Sequence, residues 1–237
     1  MDYEITILRH KKGSDRSYYQ TFAYTSEGNE NIAAVLDRIN RPSMTDIGGE
    51  PAEPVRWECS CLQKKCGACA MVINGIPCLA CDRKISDCPA KFTIEPLRKF
   101  PVVEDLIVDR SSMMDELRSL NVWLSGEARS SDDNMTCYEA SVCLQCGCCL
   151  EVCPNFCTGG EFAGMSAAVP MTRLLLEMDN KQGKELASSY VRNIFEGCGK
   201  SLACRDICPA GIDIDKMLIN SNAVAVWRRN KHKVVKK

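Results

Sequence analysis

Three observations in the 237-residue sequence predict an α+β fold in two parts, a sheet-containing amino-terminal half and an all-helical carboxy-terminal half. Tyr3, Ile5 and Ile7 alternate with polar neighbours over Asp2–Leu8, the period of two that marks a half-buried strand. Beyond Arg110 the apolar residues fall instead at three- and four-residue spacing. Between and within these regions lie clusters of cysteine, of which the chain has 17.

Taken in order, the second strand is Tyr18–Tyr24, beyond the turn Lys11-Lys12-Gly13-Ser14-Asp15, so the chain opens on a β-hairpin. Over Asn31–Ile39 the residues Ile32, Val35, Leu36 and Ile39 take helical spacing, and Arg41-Pro42 breaks the pattern. A cysteine-rich loop then runs into Ala70-Met71-Val72-Ile73-Asn74-Gly75, a strand and turn, and the domain closes around Thr93-Ile94-Glu95-Pro96-Leu97. Pro101–Asp109 is the expected crossing, with domains over 1–103 and 104–237. Helices are predicted over Met113–Leu124, Thr172–Asp179, Lys184–Phe195 and Ile214–Trp227.

Composition excludes several functions. The net charge of −1 offers no electrostatic footprint for a nucleic-acid partner. The start Met1-Asp2-Tyr3-Glu4-Ile5 lacks the basic and apolar segments of a signal peptide, so a secreted disulfide scaffold is not expected and a cytoplasmic location is. No apolar run approaches the roughly 18 residues of a membrane span, so any membrane contact is expected through a partner or at the surface. With two histidines, His10 and His232, metal ligation falls to thiolate.

The first cysteine group is Cys61, Cys66 and Cys69 in C-x4-C-x2-C spacing, with Cys81 after a further eleven residues. This is the plant-type [2Fe-2S] spacing; soft anionic sulfur stabilises the iron-sulfide core, and Gly67 allows a close backbone approach. A zinc ribbon would want two C-x2-C knuckles where this group has one. The second group, Cys143, Cys146, Cys149 and Cys153-Pro154, is the C-x2-C-x2-C-x3-C-P run of bacterial ferredoxins, in which the fourth cysteine serves a second cluster. The third, Cys198, Cys204 and Cys208-Pro209, repeats the run with Ser201 where a cysteine is due. Exchange of the fourth ligands assigns Cys143, Cys146, Cys149 and Cys208 to a [4Fe-4S] cluster, leaving Cys153, Cys198 and Cys204 for the other. Three thiolates point to a [3Fe-4S] cluster, a labile fourth iron on the Ser201 oxygen being the alternative. Cys59, Cys78, Cys88, Cys137, Cys148 and Cys157 are expected as small buried apolar residues.

These three groups in this order, with Leu79-Ala80-Cys81, the segment Pro101–Arg110 and Cys208-Pro209, resemble the iron-sulfur subunit of succinate dehydrogenases and fumarate reductases over nearly the whole chain. The resemblance implies a β-grasp [2Fe-2S] ferredoxin-like domain followed by an α-helical ferredoxin-like domain. It implies electron relay between a FAD flavoprotein subunit and a quinone at a cytochrome b-type membrane anchor, haem being a candidate cofactor of that anchor. Substrate chemistry would then lie in the flavoprotein, and this chain would sit peripherally on the cytoplasmic face of the membrane. Where some ubiquinone-linked members carry paired tryptophans and a histidine, this sequence has Cys157-Thr158 and Gly199, and Asn155-Phe156-Cys157 looks closer to menaquinone-linked fumarate reductases. Pro154, Asn155 and Ser201 are the candidate quinone contacts. The alternative is the subunit of a soluble, thiol:fumarate reductase-like flavoprotein complex. Glu58 and Lys64-Lys65 are expected to tune the first cluster or its docking. The basic run Arg228–Lys237 is read as a solvated tail.

Overall fold

The computed structural model describes residues 1–42, 44–124, 133–178 and 181–227. The basic run from Arg228, His232 and the predicted helix end at Asp179 lie outside them. Two compact units result: Met1–Arg110 with Cys146–Glu151, and Ser111–Gln145 with Val152 onward. The first unit therefore runs past the expected junction at 103/104.

Strands β1 (Asp2–His10) and β2 (Ser17–Thr25) form the predicted hairpin, each longer than the alternation suggested. Ile5 pairs with Phe22 and Tyr3 with Tyr24, so the apolar side chains of both strands share one buried face. Helix α1 (Ile32–Ile39) starts at Asn31, whose Oδ1 accepts the Ala34 N–H at 2.9 Å, and it buries Ile32, Val35, Leu36 and Ile39 as its spacing requires. Strand β3 (Ala70–Ile73) turns at Asn74 (φ 48°) and Gly75 (φ 80°) into β4 (Ile76–Leu79), a strand that no alternation in the sequence separates from the loop. Asn-Gly is the favoured pair for such a turn, since both positions take positive φ. With β5 (Lys91–Glu95) the sheet order is β2-β1-β5-β3-β4; β1 and β5 run parallel and the other pairs antiparallel.

The segment read as a crossing forms a further two-stranded ladder, β6 (Val102–Glu104) and β7 (Ile107–Val108). It is held by Asp105, at φ 45°, whose carboxylate accepts both nitrogens of the Arg9 fork at 3.0 and 3.1 Å and the N–H groups of His10 and Arg56. That buried pair explains why the chain stays with the first unit beyond residue 103.

The second unit is helical: α2 (Ser111–Ser119), α3 (Asn134–Ser141), α5 (Gly164–Glu177), α6 (Lys181–Tyr190) and α7 (Ile214–Asn222), the short α4 (Cys148–Glu151) belonging to the first unit. Helix α5 packs against α2, α3, α6 and α7 and is buried on most sides. Its run of Gly164, Ser166, Ala167 and Ala168 explains why three- and four-residue apolar spacing located only its last turns: a helix buried all round shows no apolar stripe. Both α6 and α7 end in a π turn, Val191–Phe195 and Ala223–Trp227. Tyr190, fully buried, donates to Asn222 Oδ1 at 3.0 Å, and Thr172 and Ser221 share a buried hydroxyl pair at 2.8 Å.

Candidate metal centres

The first cysteine group is carried between α1 and the sheet strands. Backbone bonds tie the loop to the elements around it: Ala33 N to Ala80 O at 3.0 Å, Ile32 N to Arg83 O at 2.9 Å and Ala80 N to Cys69 O at 3.0 Å, while Asn31 Nδ2 donates to Cys81 O at 3.0 Å. Leu62 (φ 52°), Lys64 (φ 58°) and Gly67 (φ 75°) take left-handed conformations, and this curls the loop so that its N–H groups point inward. Gln63 and Lys65 donate to Cys61 Sγ and Lys64 donates to Cys81 Sγ, each at 3.3 Å. The bonds from Gln63 and Lys65, Gln63's first, draw the Cys61 thiol down to about 7. Burial pushes Cys69 up to about 12, and Cys81 and Cys66 lie within electrostatic reach of it. The structure thus brings all four predicted residues into one neighbourhood. Lys64 pairs with Asp82 at 2.8 Å and Glu58 with Arg110, so two of the charges around this loop have defined partners.

In the second group, Gln145 (φ 49°) and Gly147 (φ 88°) curl the chain around Cys146. A Cβ on Gly147 would meet the Phe100 ring at 3.2 Å, so glycine is required both by φ and by space. The Cys148 thiol hydrogen-bonds to the Cys146 sulfur and lowers Cys146 to about 7, while that bond and burial drive Cys148 up. Gln145 Nε2 donates to Cys143 Sγ at 3.3 Å and to Ser166 O at 2.8 Å. Ser166 stands four residues before Pro170 in α5, and proline has no N–H to bond that carbonyl. A helix interruption that no cysteine motif announces thereby orients a residue of the motif.

In the third group, burial raises Cys204 to about 11, and Cys153 and then Cys198 add to the rise from nearby. These are the three residues left over by the ligand exchange. Ser201 lies exposed between Lys200 (φ 54°) and Leu202 (φ 55°), and Pro154 is exposed. Asn155 is exposed too, but its amide already donates to Gly197 O at 2.7 Å, and a Cβ on Gly199 would come within 3.0 Å of it. Cys208 is half-buried in the turn that ends the motif.

Of the six remaining cysteines, Cys88, Cys137 and Cys148 are buried and Cys78 is partly so. Cys59 and Cys157 are exposed, which corrects the expectation that all six pack as small apolar residues. Cys148 is buried as expected, and its thiol lies beside the Cys146 sulfur.

Among the described residues no three His, Cys, Asp or Glu side chains converge as a site for a single metal ion. The fit to a cluster therefore rests on the donor chemistry: thiols in reach of one another, N–H groups on their sulfurs, and loops held in left-handed turns. These are the surroundings iron-sulfur cores use, since hydrogen bonds to sulfur and burial set their potentials.

A sheet-bearing unit and a helical unit, each carrying such cysteine groups, define an iron-sulfur protein of two domains. Residues 4–115 match the 2Fe-2S iron-sulfur cluster binding domain and residues 139–212 the 4Fe-4S dicluster domain. The chain is 32% identical over 222 residues to the succinate dehydrogenase iron-sulfur subunit of Bacillus subtilis, covering 88% of this chain and 86% of that one. It is 29% identical over 169 residues to the fumarate reductase iron-sulfur subunit of Escherichia coli, covering 67% and 68%. A chain of the Mycobacterium smegmatis Sdh1 complex in the apo form superposes with a TM-score of 0.74 at 23% identity, covering 94% of this chain and 95% of that one, a likeness of fold. The protein belongs to the family of succinate dehydrogenase and fumarate reductase iron-sulfur subunits. It is an electron-relaying subunit of that oxidoreductase family, with [2Fe-2S] and [4Fe-4S] cluster domains.

Proposed function

We propose that this chain relays electrons between a FAD flavoprotein subunit and a quinone, menaquinone in the reading favoured by Asn155-Phe156-Cys157, at a cytochrome b-type membrane anchor that is the candidate holder of haem. The proposed ligands are Cys61, Cys66, Cys69 and Cys81 for [2Fe-2S], Cys143, Cys146, Cys149 and Cys208 for [4Fe-4S], and Cys153, Cys198 and Cys204 for [3Fe-4S]. When bound, each cluster supplies one-electron redox capacity at a fixed place in the chain. The residues of the chain do the rest: thiols held together by the loops provide the ligands, and N–H groups of Gln63, Lys64, Lys65 and the Gln145 amide moderate sulfur charge.

The observation that carries the three-iron assignment is the grouping of Cys204 with Cys153 and Cys198, residues from two different motifs, with serine in the position of the absent cysteine. In detail, the fold reading is a β-grasp domain followed by an α-helical ferredoxin-like domain, with the junction moved from 103/104 to the chain beyond Arg110. Pro154, Asn155 and Ser201 are the proposed quinone vicinity; the Asn155 amide gives one of its two N–H donors to Gly197 O and keeps the second. The proposed place of the chain is peripheral, on the cytoplasmic face of the membrane and held by partner subunits. No helix among the described residues is long and apolar enough to cross a membrane.

The test is anaerobic purification of the chain from its native membranes with mass-spectrometric identification of bound subunits and an iron count. A FAD flavoprotein, a multi-helix anchor and about nine iron atoms per chain are expected. A soluble complex without an anchor would remove the quinone role in favour of a thiol-linked one.

A further inference from the structure

Arg110 is the residue at which the first unit's continuous chain ends, and its guanidinium is mostly buried, at 18% side-chain exposure. Nη1 donates to Gly67 O at 3.1 Å and to Cys146 O at 3.3 Å. Nη2 donates to Ala68 O at 3.2 Å and to the Glu58 carboxylate. Gly67 and Ala68 are the two residues between Cys66 and Cys69, while Cys146 belongs to the second cysteine group. A single planar cation therefore satisfies three carbonyls from two separate cysteine-bearing segments, all within one compact unit. Arginine suits this position because the donors of its fork are fixed in a plane, always charged and weakly hydrated, where a lysine would present one mobile point charge.

The charge acts along with the geometry. A reduced iron-sulfur cluster carries one more negative charge than its oxidised form, so a buried cation beside it favours reduction. The cation is only partly offset by Glu58, whose side chain is 41% exposed and screened by solvent.

We propose that Arg110 is a positioning residue shared by the first and second clusters, which holds their two loops at a fixed separation and raises the reduction potentials of both. The proposal rests on the reading of Cys66, Cys69 and Cys146 as cluster ligands.

The experiment is a redox titration of the purified complex followed by electron paramagnetic resonance, on the parent and on Arg110→Met, Arg110→Lys and Glu58→Gln. Iron and sulfide are counted in the parent first. A parent lacking the first or second cluster overturns the ligand reading and this inference with it. With the clusters in place, Arg110→Met is expected to shift both midpoint potentials downward, and Arg110→Lys to return them part of the way. Glu58→Gln should shift both upward, because it removes the offsetting charge and leaves the three carbonyl bonds intact. Potentials unmoved, or moved at one cluster alone, overturn the shared role while leaving the ligand reading standing. Where Arg110→Met fails to retain its clusters, Glu58→Gln decides the matter by itself: an upward shift at both supports the proposal and no shift refutes it.

Discussion

At the scale of single residues, Arg9 and Asp105 form the most buried ion pair found among the described residues. Their side chains are 3% and 5% exposed, and Asp105 also accepts two backbone N–H groups. Removing one member of such a pair leaves the other as an uncompensated buried charge, at a cost of about 3–5 kcal/mol. Asp105→Ala is therefore expected to lower stability by about 3 kcal/mol in urea denaturation, and a variant within about 1 kcal/mol of the parent would show that water replaces the carboxylate at no great cost. Ser201 carries the other residue-scale expectation. On the proposed ligand set, Ser201→Cys would add a fourth soft ligand to Cys153, Cys198 and Cys204, so the paramagnetic signal of the proposed oxidised three-iron cluster should give way to a cluster that is paramagnetic when reduced. Retention of the three-iron signal in the cysteine variant would sink the idea that the missing thiolate decides the cluster type.

At the scale of elements, α5 connects helix packing to the second cysteine group. Pro170 cannot donate to Ser166 O, and the Gln145 amide donates instead while also reaching Cys143 Sγ. Ser166 is buried, so its carbonyl would be left without a partner in Gln145→Ala, at about 1–3 kcal/mol. That variant is expected to unfold at lower denaturant concentration and, through the lost N–H···S bond, to lower the potential of the cluster proposed at Cys143. Unchanged stability together with unchanged potential would mean that the amide is incidental. Neither end of this link is visible in the apolar spacing, which locates the helix only from Thr172 onward. Gln145, inside the second motif, gained a role as hydrogen-bond partner of a neighbouring sulfur only when the loop curled back.

At the scale of the whole molecule, the first unit is discontinuous in sequence. Cys146–Glu151 completes it, with Leu150 buried and the Glu151 carboxylate accepting Lys99 N at 3.1 Å. A fragment ending at Arg110 lacks these residues and uncovers part of the surface they bury, worth about 2 kcal/mol for a leucine side chain. It is expected to melt below a fragment ending at Glu151, as followed by circular dichroism; equal melting temperatures would show that the six-residue segment adds nothing to the unit.

Much of this architecture is legible in the sequence. Alternation over Asp2–Leu8 and Tyr18–Tyr24 yields the hairpin, Asn31 and Pro42 bracket α1, and three cysteine spacings name the cluster classes of the two domains, because each signal is local and periodic. The sequence by itself determined the family and the order of its domains. Tertiary structure alone decided that Asp105 belongs with Arg9, that Arg110 closes on carbonyls of two cysteine segments, and that Pro170 turns a carbonyl toward Gln145. Each of these is a hydrogen bond between residues far apart along the chain, and buried polar groups find such partners only after the backbone has brought them out of water.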